Sequence, residues 1–157
     1  MIEIRQADPG SPELRPLIEA NLAHGAGAAP AESDHTFGVE ELRGPDVRFW
    51  ALFEQEQALG CGALKRLADG SAEVKSVYVS GAARGRGLAR RIMQHLAEEA
   101  RTSGISALVL ETGSDLLPEY DAARALYEKL GYAYCAPIPG YDEDPNSAFM
   151  RLELTGA

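Results

Sequence analysis

An arginine- and glycine-rich turn, Arg84-Gly85-Arg86-Gly87-Leu88-Ala89, stands between a run of β-forming residues and a long helical pattern. Such a turn aims consecutive backbone N–H groups and a helix N-terminus at one place, which is how backbone holds a phosphate or pyrophosphate. Gly85 and Gly87 remove side chains that would keep an anion at a distance, and Arg86 and Arg90 add charge. Two familiar phosphate loops are excluded. A G-x-G-x-x-G dinucleotide turn needs a third glycine where this chain has Arg90, and its strand would have to open a parallel unit. No Gly-Lys-Ser or Gly-Lys-Thr follows, so a P-loop fails as well.

Around this turn the chain is acidic, with a formal charge of -9 over 157 residues. That balance argues against a nucleic-acid partner, while Arg84, Arg86, Arg90 and Arg91 form a local basic cluster suited to a small anion. A hydrophobic content of 45% and a charged content of 25% fit one globular domain over 1–157. There is no apolar run of about 18 residues, and Met1-Ile2-Glu3-Ile4-Arg5 alternates where a leader would have a basic start and an apolar block. A cytoplasmic protein without membrane association is expected. Cys61 and Cys135 lie far apart without metal-type spacing, so reduced, partly buried thiols are expected rather than a metal site or a disulfide framework.

The elements that must position the turn follow from periodicity. Residues 2–6 alternate as a strand, and 12–23 read as a helix with Leu14, Leu17, Ile18 and Leu22 at helical spacing. The glycine-, alanine- and proline-rich stretch 24–33 predicts a mobile loop that could close over a substrate, followed by a short helix over 36–42. Strands over 47–53, 58–66 and 72–79, joined by short polar turns, read as an antiparallel meander. A helix over 88–103 presents Leu88, Ile92, Leu96 and Ala100 on one face and stops at Gly104. A buried strand at 107–110, a helix at 121–130 with Ala123, Leu126, Tyr127 and Leu130 on one face, and strands at 132–135 and 148–154 complete the chain.

With Arg84, Gly87 and Ala89 the turn reads R-x-x-G-x-A, after the strand residues Val77, Tyr78 and Val79. Downstream, Ala123-Arg124-Ala125-Leu126-Tyr127-Glu128-Lys129-Leu130-Gly131-Tyr132 reads A-x-x-L-Y-x-x-x-G-[FY]. The two motifs in this order resemble the coenzyme A signature and the tyrosine-bearing element of the GNAT N-acetyltransferase superfamily. Gly60-Cys61-Gly62-Ala63-Leu64-Lys65, Leu110-Glu111-Thr112-Gly113 and Asp144-Pro145-Asn146-Ser147-Ala148-Phe149-Met150 are similar to a small bacterial subgroup, the YsnE-like acetyltransferases.

The resemblance implies a mixed α/β fold: a largely antiparallel sheet of six or seven strands, splayed in the middle and flanked by about four helices. The splay would lie between the strand ending at Val79 and the strand ending near Glu111. It implies direct acetyl transfer from acetyl-CoA to a small-molecule or peptide amine in a ternary complex, and members of the superfamily often dimerise, so a homodimer is among the expected assemblies. Val77, Tyr78 and Val79 would offer backbone to the pantetheine arm and thioester, and residues 84–90, including Leu88, would hold the pyrophosphate. Tyr127 would protonate the departing thiolate.

A base is useful because an amine of pKa about 10.4 is almost wholly protonated at neutral pH, and freeing its lone pair costs about 4 to 5 kcal/mol. Glu73 matches the spacing of the catalytic glutamate in the histone-acetyltransferase branch; Glu111, ending the next strand at the splay, is its rival. Tyr120 stands where many members carry a coenzyme-binding asparagine, so that role is not carried over, and Asp121 is expected to cap the helix there. His35, Trp50 and Tyr141 are weaker substrate-side candidates: Trp50 is expected in the core, and Tyr141 with Asp142, Glu143 and Asp144 in a solvated acidic loop. A coenzyme-binding module without catalysis fits the same residues.

Overall fold

The computed structural model describes residues 1–28 and 36–154. Among these, seven strands form one sheet: β1 (Ile2–Gln6), β2 (Val47–Glu54), β3 (Gln57–Arg66), β4 (Ala72–Val79), β5 (Ala107–Gly113), β6 (Ala133–Cys135) and β7 (Ser147–Glu153), in the order β1-β2-β3-β4-β5-β7-β6. Every pairing is antiparallel except that of β4 with β5. The expected meander is present. Gln55 and Glu56, both at positive φ, make the tight two-residue turn between β2 and β3 whose twist suits a hairpin.

Among the described residues four helices cover the sheet: α1 (Arg15–Ala28), α2 (Val39–Leu42), α3 (Leu88–Thr102) and α4 (Asp121–Lys129). Alternation along β2 divides the core in two. Trp50 and Leu52 face α3 with Leu64, Ile92, Leu96 and Leu108, whereas Phe49, Ala51 and Phe53 face α1 and α2 with Leu14, Leu17 and Leu42. Trp50 is core, as its sequence context predicts.

α3 lies close on β3 because β3 is bare beneath it. A Cβ on Gly62 would sit 2.7 Å from Ile92 Cγ2, and one on Gly60 would sit 2.9 Å from Ile92 Cδ1. The helix is thereby held with its N-terminus at the end of β4.

Three expectations change. The first helix opens with a 3-10 turn at Pro12–Leu14 and then runs through Ala28, so residues 24–28 are helical and not loop. Alanines carry it past Gly25 and Gly27, since alanine has the highest helix propensity and offsets the glycines; Leu22 is exposed. Residues 29–33 of the expected loop and His35 lie outside the described residues. The short helix is confined to Val39–Leu42, with the Gly38 N–H held by the Glu41 carboxylate at 2.9 Å. The strand expected at 107–110 runs on to Gly113, because β7 pairs with it along its whole length. Of the two free thiols, Cys61 is buried and Cys135 exposed.

Candidate active site

β4 and β5 touch as parallel partners only at Ala72 with Leu108 and Glu73 with Val109. Beyond these two pairs the strands diverge, and residues 74–79 of β4 have a strand partner on the β3 side alone among the described residues. The register slips between Cys61 and Ala63, and opposite the slip Ser76 adopts φ +57, which bends β4 away from β5. Cys61 fills this bulge by donating its thiol to the Ser76 carbonyl at 3.2 Å. Burial pushes that thiol up to about 12, so Cys61 is a structural thiol and not a nucleophile.

The divergence opens a cleft of about 350 Å³. One wall is β4 and the turn after it, with Lys75, Val77, Tyr78, Val79, Arg84 and Ala89. The opposite wall is the end of β5 and α4, with Glu111, Gly113, Tyr120, Leu126 and Tyr127, and α1 contributes Asn21, His24 and Gly25.

The arginine- and glycine-rich turn follows β4 on the first of these walls. Gly85 and Gly87 have φ +82 and +73, and a Cβ at either would meet nothing within 4 Å. The glycines therefore serve conformation and approach, not packing. The first N–H of α3 that bonds backbone is that of Arg91, to the Gly87 carbonyl at 3.2 Å. The N–H groups of 85–90 make no hydrogen bond among the described residues, which leaves six consecutive donors for an anion. Arg84 donates to the Val79 carbonyl at 3.2 Å with its guanidinium over Tyr78, and Arg86 is held in a two-pronged pair with Glu54 at 2.8 and 3.1 Å. Arg90 is exposed and makes no ion pair among the described residues.

The three predicted catalytic side chains are not equivalent. Tyr127 lines the cleft, half-buried, and burial next to Tyr120 and Glu111 pushes its phenol up to about 12. Glu111 also lines it and accepts a hydrogen bond from the Ser147 hydroxyl at 2.7 Å.

Glu73 does not line the cleft. It is buried at 3% exposure, accepts the Tyr141 phenol hydrogen at 2.5 Å and lies 3.3 Å from the Lys75 ammonium, which also donates to the Tyr141 oxygen at 2.8 Å. Tyr141 is thus part of a buried ion cluster and not of a solvated acidic loop; burial and the Glu73 carboxylate raise its phenol far above the ordinary range. Periodicity places Glu73 on the same face as Lys75, but the partner from the loop before β7 has no sequence signal.

Tyr120 fills the position after β5: its ring packs so tightly on Gly113 that a Cβ there would lie 2.2 Å from it. Asp121 does not cap α4. Tyr120 is the N-cap, without a side-chain cap bond, and Asp121 pairs with Arg124, which donates to the Gly113 and Ser114 carbonyls at 2.7 and 2.6 Å. Sequence reading missed Asn21 and His24, although Leu14, Leu17 and Ile18 continue in helical register as Asn21, His24 and Gly25.

A row of N–H groups without backbone partners at a helix N-terminus thus opens onto an edge of β4 that has no strand partner among the described residues, with the Tyr127 phenol across the gap. The model of the acetyltransferase (GNAT) family matches residues 14–132, and the chain belongs to that family. The uncharacterized N-acetyltransferase YsnE of Bacillus subtilis (strain 168) is 44% identical over 138 residues, spanning 88% of this chain and 90% of its own. The IAA acetyltransferase of Azospirillum brasilense is 37% identical over 155 residues, spanning 98% of each. A crystal structure from Klebsiella pneumoniae, named "putative acyl-CoA N-acyltransferase", superposes with a TM-score of 0.80 at 29% identity over 98% of both chains. The chain is an N-acetyltransferase with acetyl-CoA as its donor. No helix among the described residues is long and apolar enough to cross a membrane, and there is no group of three or more His, Cys, Asp or Glu side chains among them placed to hold a metal ion.

Proposed function

We propose that this enzyme transfers the acetyl group of acetyl-CoA directly to a primary amine held in the β4–β5 cleft. The observation that carries the reading is the row of six unbonded N–H groups at 85–90, set beside the unpaired edge of β4. A pyrophosphate fits the row, and an amide-bearing arm fits the edge, where it can pair with Val77, Tyr78 and Val79 as an added strand would. An N–H on that edge is also the kind of donor that stabilises the oxyanion of a tetrahedral intermediate.

Tyr127 stands across the gap as donor to the leaving thiolate. With a phenol near 12 and a free thiol near 8.5, full proton transfer in the ground state is uphill by about 5 kcal/mol, so Tyr127 first stabilises the thiolate by a hydrogen bond. Transfer is completed because solvent reprotonates the phenol, which makes net protonation of the thiolate favourable at neutral pH. Glu111, oriented by Ser147, draws the acceptor ammonium into the cleft, and Glu73 with Tyr141 keeps Lys75 in place on the wall. Neither cysteine takes the acetyl group.

The test is free-thiol release from acetyl-CoA with a panel of polyamines, amino acids, aminoglycosides and peptide N-termini, with IAA included for the Azospirillum relative's name. Turnover with at least one amine, and an acetylamide product by mass spectrometry, is expected. Tight acetyl-CoA binding with no turnover anywhere in the panel overturns the reading in favour of a coenzyme-binding module.

A further inference from the structure

The inner face of α1 begins apolar, with Leu14, Leu17 and Ile18 buried just before and within the helix, and ends polar, with Asn21 and His24 lining the cleft. His24 spans the gap between the two walls. Its ring centroid lies 6.2 Å from that of Tyr78 on β4 and 5.6 Å, edge-on, from that of Tyr120 beside the end of β5. The imidazole is half-buried, and its ring nitrogens make no hydrogen bond or ion pair among the described residues. The two carboxylates that the sequence offers as bases are engaged: Glu73 by Tyr141 and Lys75, Glu111 by Ser147. The remaining titratable or charged groups on the cleft are Tyr78 and Lys75 from β4, Arg84 from the turn, Glu119 and Tyr120 before α4, and Tyr127 within it.

We infer that His24 is the base that takes the proton of the acceptor ammonium, a role that rests on the acyl-transfer reading above. An imidazole is the side chain whose ordinary titration range spans neutrality, and one without a competing partner in a cleft wall can accept a proton and pass it to solvent. The step balances as follows. An imidazole nitrogen removes one proton from R–NH₃⁺, the freed lone pair forms the C–N bond at the thioester carbonyl, and the C–S bond breaks. The thiolate takes a proton from Tyr127, which is reprotonated from water, and the second proton on nitrogen leaves to solvent as the amide forms.

The experiment compares wild type, His24→Gln and His24→Ala with the best amine of the panel. The expected result is a fall in kcat of about 100-fold with acetyl-CoA affinity and melting temperature unchanged. Soluble imidazole should restore part of the His24→Ala rate, which a structural defect would not allow. The deficit should also shrink once the pH exceeds the ammonium pKa of the acceptor, because the amine then arrives without its extra proton. A His24→Gln rate within about threefold of wild type over the whole pH range, where a working base contributes at least about 100-fold, overturns the inference and leaves acyl transfer standing. If no amine is turned over by the wild type, acyl transfer has failed and this inference falls with it.

Discussion

At the scale of residues, the consequential contrast is between Tyr127 and Glu73. Tyr127 lies in a family motif and Glu73 at a family spacing, yet one faces the cleft and the other is bound in a buried cluster. Tyr127→Phe should therefore lower kcat by about 10- to 100-fold while acetyl-CoA affinity, measured by calorimetry, holds steady, because in the proposed reaction the phenol acts on the leaving sulfur and not on the nucleotide. An unchanged kcat would remove Tyr127 from the chemistry. The position of Tyr127 was legible because helix periodicity and the A-x-x-L-Y pattern both bear on it. The partners of Glu73 were not, since Tyr141 reaches it from 68 positions away through a loop whose path periodicity does not describe. His24 was hidden for a different reason: the glycines at 25 and 27 read as loop, whereas the helix propensity of the alanines carries α1 past them.

At the scale of elements, the site depends on where α3 begins. Gly87 is its left-handed N-cap at φ +73 and ψ +18, a conformation costing a non-glycine residue about 1 to 2 kcal/mol. Gly87→Asp adds a carboxylate where an anion is expected, and should weaken acetyl-CoA binding at least tenfold with the fold retained by circular dichroism. Unchanged affinity would detach the pyrophosphate from this turn. The motif R-x-x-G-x-A made the turn legible from sequence alone. The bare patch on β3 is subtler, for Gly60 and Gly62 read as weak strand residues until α3 is seen lying on them. A Cβ at position 62 would lie 2.7 Å from Ile92 Cγ2 and 3.2 Å from Leu96 Cδ1. The Ile92 methyl is branched at Cβ and cannot swing aside, so Gly62→Ala should cost about 1 to 3 kcal/mol. A melting temperature lower by roughly 3 to 10 °C is the expected reading, with no change counting against close packing of α3 on β3.

At the scale of the whole molecule, buried weak acids set a limit on alkaline stability. Burial raises Cys61 and Tyr127 to about 12, and raises Tyr132 and Tyr141 further. For a group whose folded-state pKa lies above its unfolded value, the full contribution is present below the unfolded pKa and is lost as pH climbs toward the folded one. The loss begins near pH 9 for the thiol and near pH 10 for the phenols, because the unfolded chain releases protons there that the folded chain keeps. Each such group then removes about 1.4 kcal/mol per pH unit. Urea unfolding should consequently show a plateau below about pH 9 and a steep fall above pH 10. Tyr132 isolates one share of that fall: it is 5% exposed, and its buried hydroxyl has no hydrogen-bond partner among the described residues. Tyr132→Phe should be as stable as wild type or more so at pH 8, since it removes an unsatisfied polar group, and its alkaline slope should be shallower by about 1.4 kcal/mol per pH unit. Parallel alkaline slopes for the two proteins would show that the Tyr132 phenol ionises as readily folded as unfolded.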